Sequence, residues 1–89
     1  MSKKISIIIC TYNEVNFIER SLKLIKDNLK NVETIIVDDN SNDGTLKKLD
    51  EIKSIYDFKL FIRTNERGLA SAQIKGFRES SGDYIGTVD

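Results

Sequence analysis

The segment Val37-Asp38-Asp39-Asn40-Ser41-Asn42-Asp43-Gly44-Thr45 places three carboxylates and a glycine directly behind the apolar run Thr34-Ile35-Ile36-Val37. A β-branched run that ends abruptly in acids reads as a buried strand delivering carboxylates to a sheet edge, where open α/β folds take their ligands. Asp38 and Asp39 are adjacent, so along a strand they point to opposite sides and are not placed to share one proton. One should face a ligand crevice and the other should brace the loop, while Asp43 suits a turn or a helix cap. Thr11-Tyr12-Asn13-Glu14 interrupts an earlier apolar run in the same way. Tyr12 offers a ring on which a flat base can stack, and Glu14 can accept hydrogen bonds from base or sugar donors. Taken singly, the simpler readings are a loop aromatic folded onto its own helix and a first-turn acid favouring the helix dipole. Asp89 follows Tyr84-Ile85-Gly86-Thr87-Val88 in a similar strand-end setting. A single carboxylate there would bind Mg²⁺ or Mn²⁺ only with help from neighbours and ligand phosphates.

Other chemistries are weaker fits. Asp39-x-Ser41-x-Asp43-Gly44 with Asp50 imitates a calcium-binding helix–loop–helix loop, but a strand precedes it, Lys47 falls at a liganding position and the twelfth residue is Asp rather than Glu. A receiver-type acidic pair belongs at the end of the first strand, where this chain has Cys10-Thr11. Neither G-x-G-x-x-G nor G-x-x-x-x-G-K-[ST] occurs. Histidine is absent, which removes Ser-His and Cys-His nucleophiles and His-ligated metals from this chain. The single cysteine, Cys10, has no intrachain disulfide partner and reads as an ordinary small residue at the end of a buried run. Fourteen basic and fourteen acidic residues cancel and are dispersed, which argues against nucleic acid or an anionic membrane as a partner of this segment. No apolar stretch approaches a membrane span and the N-terminus lacks a signal-peptide core.

The elements that must position these residues follow from periodicity. Ile5 to Cys10 is a short apolar run, interrupted by Ser6, that suits a buried strand. Phe17, Ile18, Leu22, Ile25 and Leu29 recur at helical spacing and predict an amphipathic helix over 15–29. Glu33 to Val37 is the second strand. Ser41 or Asp43 can cap a helix carrying Leu46, Leu49 and Ile52. Phe58 to Ile62 is the third strand, and Gly68 opens a helix in which Ala70, Ile74 and Phe77 line one face and Arg78 and Glu79 the other. Gly82-Asp83 turns into a fourth strand, Tyr84 to Val88. The order β-α-β-α-β-α-β predicts a parallel sheet with right-handed crossovers. Because a parallel sheet needs helices on both faces, three helices over four strands leave part of one face and at least one edge bare, as expected of the first half of a larger domain.

Taken together, Ile8-Ile9-Cys10-Thr11-Tyr12-Asn13-Glu14, Ile36 to Thr45, and Gly82-Asp83-Tyr84-Ile85 before Asp89 resemble the family 2 glycosyltransferases of the GT-A fold, across the whole chain. Arg63 to Ala72 and Ile74-Lys75-Gly76-Phe77 look most like the dolichyl- or polyprenyl-phosphate mannosyltransferase branch. The resemblance implies a three-layer, Rossmann-like α/β sheet. Residues 1–89 would be the nucleotide-sugar-binding half of a GT-A domain, cut at the start of its D-x-D motif. It implies inverting transfer of a sugar from GDP-mannose or a UDP-sugar to an acceptor such as a polyprenyl or dolichyl phosphate. Mg²⁺ or Mn²⁺ would offset the repulsion between an acidic site and an anionic diphosphate. On this sequence Tyr12 and Glu14 would hold the nucleoside, Cys10 would line that pocket through its backbone, and Val37 and Asp39 would contact the base. Asp89 would be the metal-binding first acid of D-x-D. Cys10 departs from the proline usual in the mannosyltransferase branch; a backbone contact should survive, on a less stiff loop. Any catalytic base would lie past residue 89. The expected location is cytoplasmic, with membrane association in the full-length protein. The 89-residue chain alone is expected to be inactive and to self-associate through its bare sheet surface. A non-catalytic nucleotide-binding or interaction module of the same fold remains the alternative.

Overall fold

The computed structural model describes residues 3–88. Four strands, β1 (Ile5–Thr11), β2 (Val32–Asp38), β3 (Lys59–Ile62) and β4 (Tyr84–Val88), alternate with three helices, α1 (Ile18–Asn28), α2 (Thr45–Ile52) and α3 (Leu69–Glu79). All neighbouring strands are parallel, in the order β3-β2-β1-β4, with Ile8 opposite Ile35 and Thr87. The chain therefore builds outward from β1 to β3, then returns across the sheet to place β4 on the other side of β1. Right-handed crossovers send the return helix to the opposite face. In agreement, Ile9 and Ile36 pack with Ile18, Leu22, Leu49 and Ile52 from α1 and α2, while Ile8, Ile35 and Val37 pack with Ala72 of α3. Strand order reverses beside β1, and such a switch point opens a crevice at the carboxyl ends of the strands.

Two helices differ from the periodicity. α1 starts at Ile18, three residues later than its apolar spacing suggests. Asn13 takes a left-handed φ of 57°, and the Glu14 carbonyl accepts from both Phe17 and Ile18 N–H at 3.0 Å, so a tight turn replaces the expected first helical turn. In α3 the expected stripe of Ala70, Ile74 and Phe77 faces outward, with Ile74 48% and Phe77 43% exposed. The sheet-facing residues are instead Ala72 and Gly76. A Cβ at Gly76 would collide with the Ile8 side chain, so small residues let the helix backbone settle directly on the sheet. Close approach, rather than apolar bulk, decides which face is buried.

The amino-terminal end of the sheet is tied together by Glu33, read from the sequence only as the start of a strand. Its carboxylate is buried and accepts from Ser6 Oγ (2.8 Å), Ser81 N–H (2.8 Å), Ser81 Oγ (3.1 Å) and Lys59 Nζ (2.9 Å). One side chain thus joins β1, β2, β3 and the segment leading into β4. The Lys59 ammonium is the main cause that lowers its carboxyl, burial opposes it, and the Ser81 and Ser6 hydrogen bonds add to Lys59, leaving a pKa of about 2.

Candidate functional site

At the carboxyl edge, the loops after β1 and β2 are bonded to each other. Asp38, fully buried, accepts from Thr11 Oγ1 and Ser41 Oγ at 2.6 Å each and from Ser41 N–H at 2.8 Å. Ser41 Oγ in turn accepts from Asn13 N–H at 2.9 Å, and Asn13 Oδ1 accepts from Asn42 N–H at 2.9 Å. Glu14 N–H donates to Thr45 Oγ1 at 2.9 Å and Val15 N–H to Asp43 Oδ2 at 3.1 Å. The acid-rich run is thus a frame that holds Tyr12-Asn13-Glu14 in place. Asp38 is the brace that its position beside Asp39 suggested. Gly44, in a left-handed conformation, stands at the N-cap of α2; Asp43 closes the turn just before it, accepting from Thr45 N–H at 3.0 Å, whereas Ser41, the other candidate cap, is committed to Asp38. Burial pushes the Asp43 carboxyl up, but the Thr45 hydroxyl and the Val15 and Thr45 amides outweigh it and hold it below the usual range.

The frame opens onto a cleft of about 340 Å³ lined by Cys10, Thr11, Tyr12, Glu14, Asp39, Arg67, Gly68, Leu69 and Ala72. Four of the six residues selected from the sequence therefore meet in one place: Cys10, Tyr12, Glu14 and Asp39. A second cleft, about 400 Å³ and more apolar, lies on the β4 side of Cys10-Thr11 and Glu14, against Phe17, Arg20 and Val88. Val37 is not brought to either cleft. Its side chain is fully buried beneath α3 with Ile8, Ile35 and Ala72, because alternation along β2 turns it into the sheet's packed face. Asp89 lies outside the described residues. Val88 pairs with Ile9, one residue before Cys10, so β4 runs to the same edge as the cleft.

Two guanidinium groups at this edge were not selected from the sequence. Arg63, directly after β3, donates from Nε to Asp39 Oδ1 at 2.7 Å, with Nη2 also 2.7 Å from that oxygen. Arg67 lies over the Tyr12 ring, its Cζ 4.5 Å from the centroid, so that a cation covers the face expected to stack on a base. The signal for both was their place at the carboxyl end of β3, under the same edge rule that picked out Asp39. They change the electrostatics: Asp39 is charge-paired and the cleft is not simply acidic. Among the described residues no three His, Cys, Asp or Glu side chains gather as a metal site. No helix among them is long and apolar enough to cross a membrane.

The parallel α/β sheet with a cleft at the carboxyl ends of its first two strands has the GT-A architecture, which its likeness to solved glycosyltransferases supports. The model of glycosyl transferase family 2 matches residues 6–89, and the chain belongs to that family. It is 44% identical over 88 residues to a dolichol-phosphate mannosyltransferase of Pyrococcus furiosus, covering 97% of this chain and 25% of that protein. Among solved structures it resembles a Pyrobaculum calidifontis mannosyltransferase in complex with GDP-Man and Mn²⁺ (TM-score 0.82, 27% identity, 96% of this chain and 26% of that one). It also resembles S. aureus TarS in complex with UDP-GlcNAc (TM-score 0.83, 27% identity, 97% and 26%). The chain spans about a quarter of the length of these proteins.

Proposed function

We propose that residues 1–89 form the donor-binding part of a glycosyltransferase that moves a sugar from a nucleotide-sugar, GDP-mannose or a UDP-sugar, to an acceptor such as a polyprenyl or dolichyl phosphate. The observation that carries this reading is the convergence of Tyr12, Glu14 and Asp39 on one cleft at the carboxyl edge of the sheet. The base stacks on Tyr12, replacing the Arg67 guanidinium that covers the ring. Asp39 accepts from the base edge. Glu14, whose carboxylate has no hydrogen bond or ion pair among the described residues, accepts from the sugar hydroxyls of the nucleoside. Cys10 lines the floor through its backbone, and Val37 supports that floor from beneath. A bound Mg²⁺ or Mn²⁺ would supply positive charge against the departing diphosphate. With no three-ligand group among the described residues, it would be held by Asp89 together with the donor's own phosphate oxygens, the all-oxygen set that these hard cations prefer. The acceptor class rests on the relative named a dolichol-phosphate mannosyltransferase and the GDP or UDP donor on the neighbours solved with GDP-Man and UDP-GlcNAc; a lipid-phosphate acceptor would bring the full-length protein to a membrane.

Calorimetry with GDP and UDP, in the presence and absence of Mn²⁺, tests the reading. Binding should be detectable, and Tyr12→Ala should weaken it by roughly tenfold or more, the value of one base–aromatic stack. Nucleotide affinity that ignores Tyr12→Ala would overturn the assignment. Nucleotide binding without sugar transfer by the full-length protein would select the non-catalytic alternative.

A further inference from the structure

We propose that Arg63 is a positioning residue that decides which bases the cleft accepts, by fixing the one acceptor position that Asp39 has left to offer. The inference rests on the reading of this cleft as a nucleotide site. Arg63 N–H donates to the Asp38 carbonyl at 2.8 Å, which extends the β2–β3 ladder one residue past Ile62 and aims the guanidinium back across the end of β2. The guanidinium is almost fully committed. Nε and Nη2 address Asp39 Oδ1 at 2.7 Å each, Nη1 donates to Ser71 Oγ at 2.9 Å, and Nη2 donates to the Gly68 carbonyl at 3.0 Å. Its side chain is only 8% exposed, so it is a built part of the wall rather than a surface arm. Gly68 N–H completes the arrangement by donating to Asp39 Oδ2 at 3.1 Å.

A carboxylate oxygen accepts about two hydrogen bonds. Oδ1 is therefore filled by the arginine, and Oδ2 keeps one free position beside Gly68, which lines the cleft with Asp39. A single oriented acceptor matches the ring N–H of guanine (lactam) or uracil (imide). Adenine and cytosine present a ring-nitrogen lone pair at the equivalent place, which a carboxylate repels. A carboxylate free to rotate could instead take their exocyclic amino groups, so discrimination depends on the fork that stops the rotation. Arginine supplies a planar fork and lysine only a point charge. The Arg63→Lys variant keeps the charge on Asp39 and removes the orientation.

The test is the ratio of affinities for GDP, UDP, ADP and CDP with Mn²⁺, measured by calorimetry, with Mn²⁺–pyrophosphate as a probe lacking any base. The unaltered protein should prefer a keto-base nucleotide, GDP or UDP, over ADP and CDP. Arg63→Lys should narrow that preference roughly tenfold, the worth of one well-oriented hydrogen bond to a charged group, while pyrophosphate binding stays unchanged. An arginine that merely stapled the loop would weaken every ligand in proportion, and an unchanged ratio overturns the proposal. Should Arg63→Lys fail to fold, Ser71→Ala removes an Arg63 partner outside the cleft lining and should narrow the ratio roughly threefold; no change there overturns the proposal equally. A protein that binds nucleotides without base preference sinks this inference alone. One that binds none of the four refutes the reading of the cleft itself.

Discussion

Replacing Glu33 with glutamine removes a negative charge from the point where β1, β2, β3 and the segment leading into β4 are tied, and its cost follows from the geometry. The carboxylate accepts from Ser6 Oγ, Ser81 N–H, Ser81 Oγ and Lys59 Nζ. A glutamine amide has one oxygen for these donors, and its NH₂ group must point at two or more of them. A carboxyl with an ordinary value of 4.5 that the fold holds at about 2 contributes on the order of 3 kcal/mol above pH 4.5. The Lys59 side chain is 57% exposed, so part of the ionic share is screened. Glu33→Gln should therefore lose about 2–3 kcal/mol at pH 7, a large share of the roughly 5–15 kcal/mol typical of a domain. Because the folded pKa is depressed, this stability is fully present above pH 4.5 and is lost as pH falls from there toward 2. Urea unfolding at a series of pH values should show a midpoint gap of about 1–3 M at pH 7 between the two proteins, closing across that window. Comparing the two proteins cancels the titration of every other carboxylate. A gap that is absent at pH 7, or that stays constant down to pH 2.5, would refute the assignment of this stability to Glu33.

Further outcomes are expected at the opposite edge and under α3. Asp38→Ala leaves the Thr11 and Ser41 hydroxyls and the Ser41 amide without a buried acceptor, and should cost about 3 kcal/mol or more. It should also speed hydrogen exchange at the Asn13, Glu14 and Val15 amides; unaltered protection there would show that the loop is framed by something else. Gly76→Ala pushes a methyl group into Ile8 and should destabilise by about 1–3 kcal/mol, whereas Ile74→Ala on the outward stripe should change stability by about 0.5 kcal/mol or less. Thermal denaturation distinguishes them, and the reverse order would mean that α3 packs on its apolar stripe after all.

Much of the architecture was legible because it depends on short-range patterns. The run Ile5–Cys10, the β-branched Thr34–Val37 and their spacing from the amphipathic helix between them are enough for parallel strands and their alternation. That one of Asp38 and Asp39 braces the loop was also readable, since adjacent residues of an extended chain face opposite ways; the structure assigns the brace to Asp38. What failed was the inference from apolar spacing to burial in α3. Ala70, Ile74 and Phe77 form a stripe at helical period, yet the sheet takes Ala72 and Gly76 because of how closely the backbone approaches Ile8. The buried junction at Glu33 is not legible in the sequence, for a related reason. A lone acid at a strand start looks like a solvated end, and only the register opposite Ser6 and the return of Ser81 from 48 positions away make it a buried junction.

By itself, the sequence determined the fold class, the family and the sheet edge at which Cys10, Tyr12, Glu14 and Asp39 meet. Local dihedral preference, apolar period and strand-end polarity are properties of neighbouring residues and survive without knowledge of the whole. The tertiary structure alone decided which charges are spent and which remain available. Asp39 comes to be bonded by the Arg63 guanidinium and the Gly68 amide, and Arg67 comes to rest on Tyr12. Those outcomes depend on β3 and its following loop folding back beside β2, about two dozen residues further along the chain. Pairing at that separation is set by topology and geometry, which no local pattern of residue types encodes.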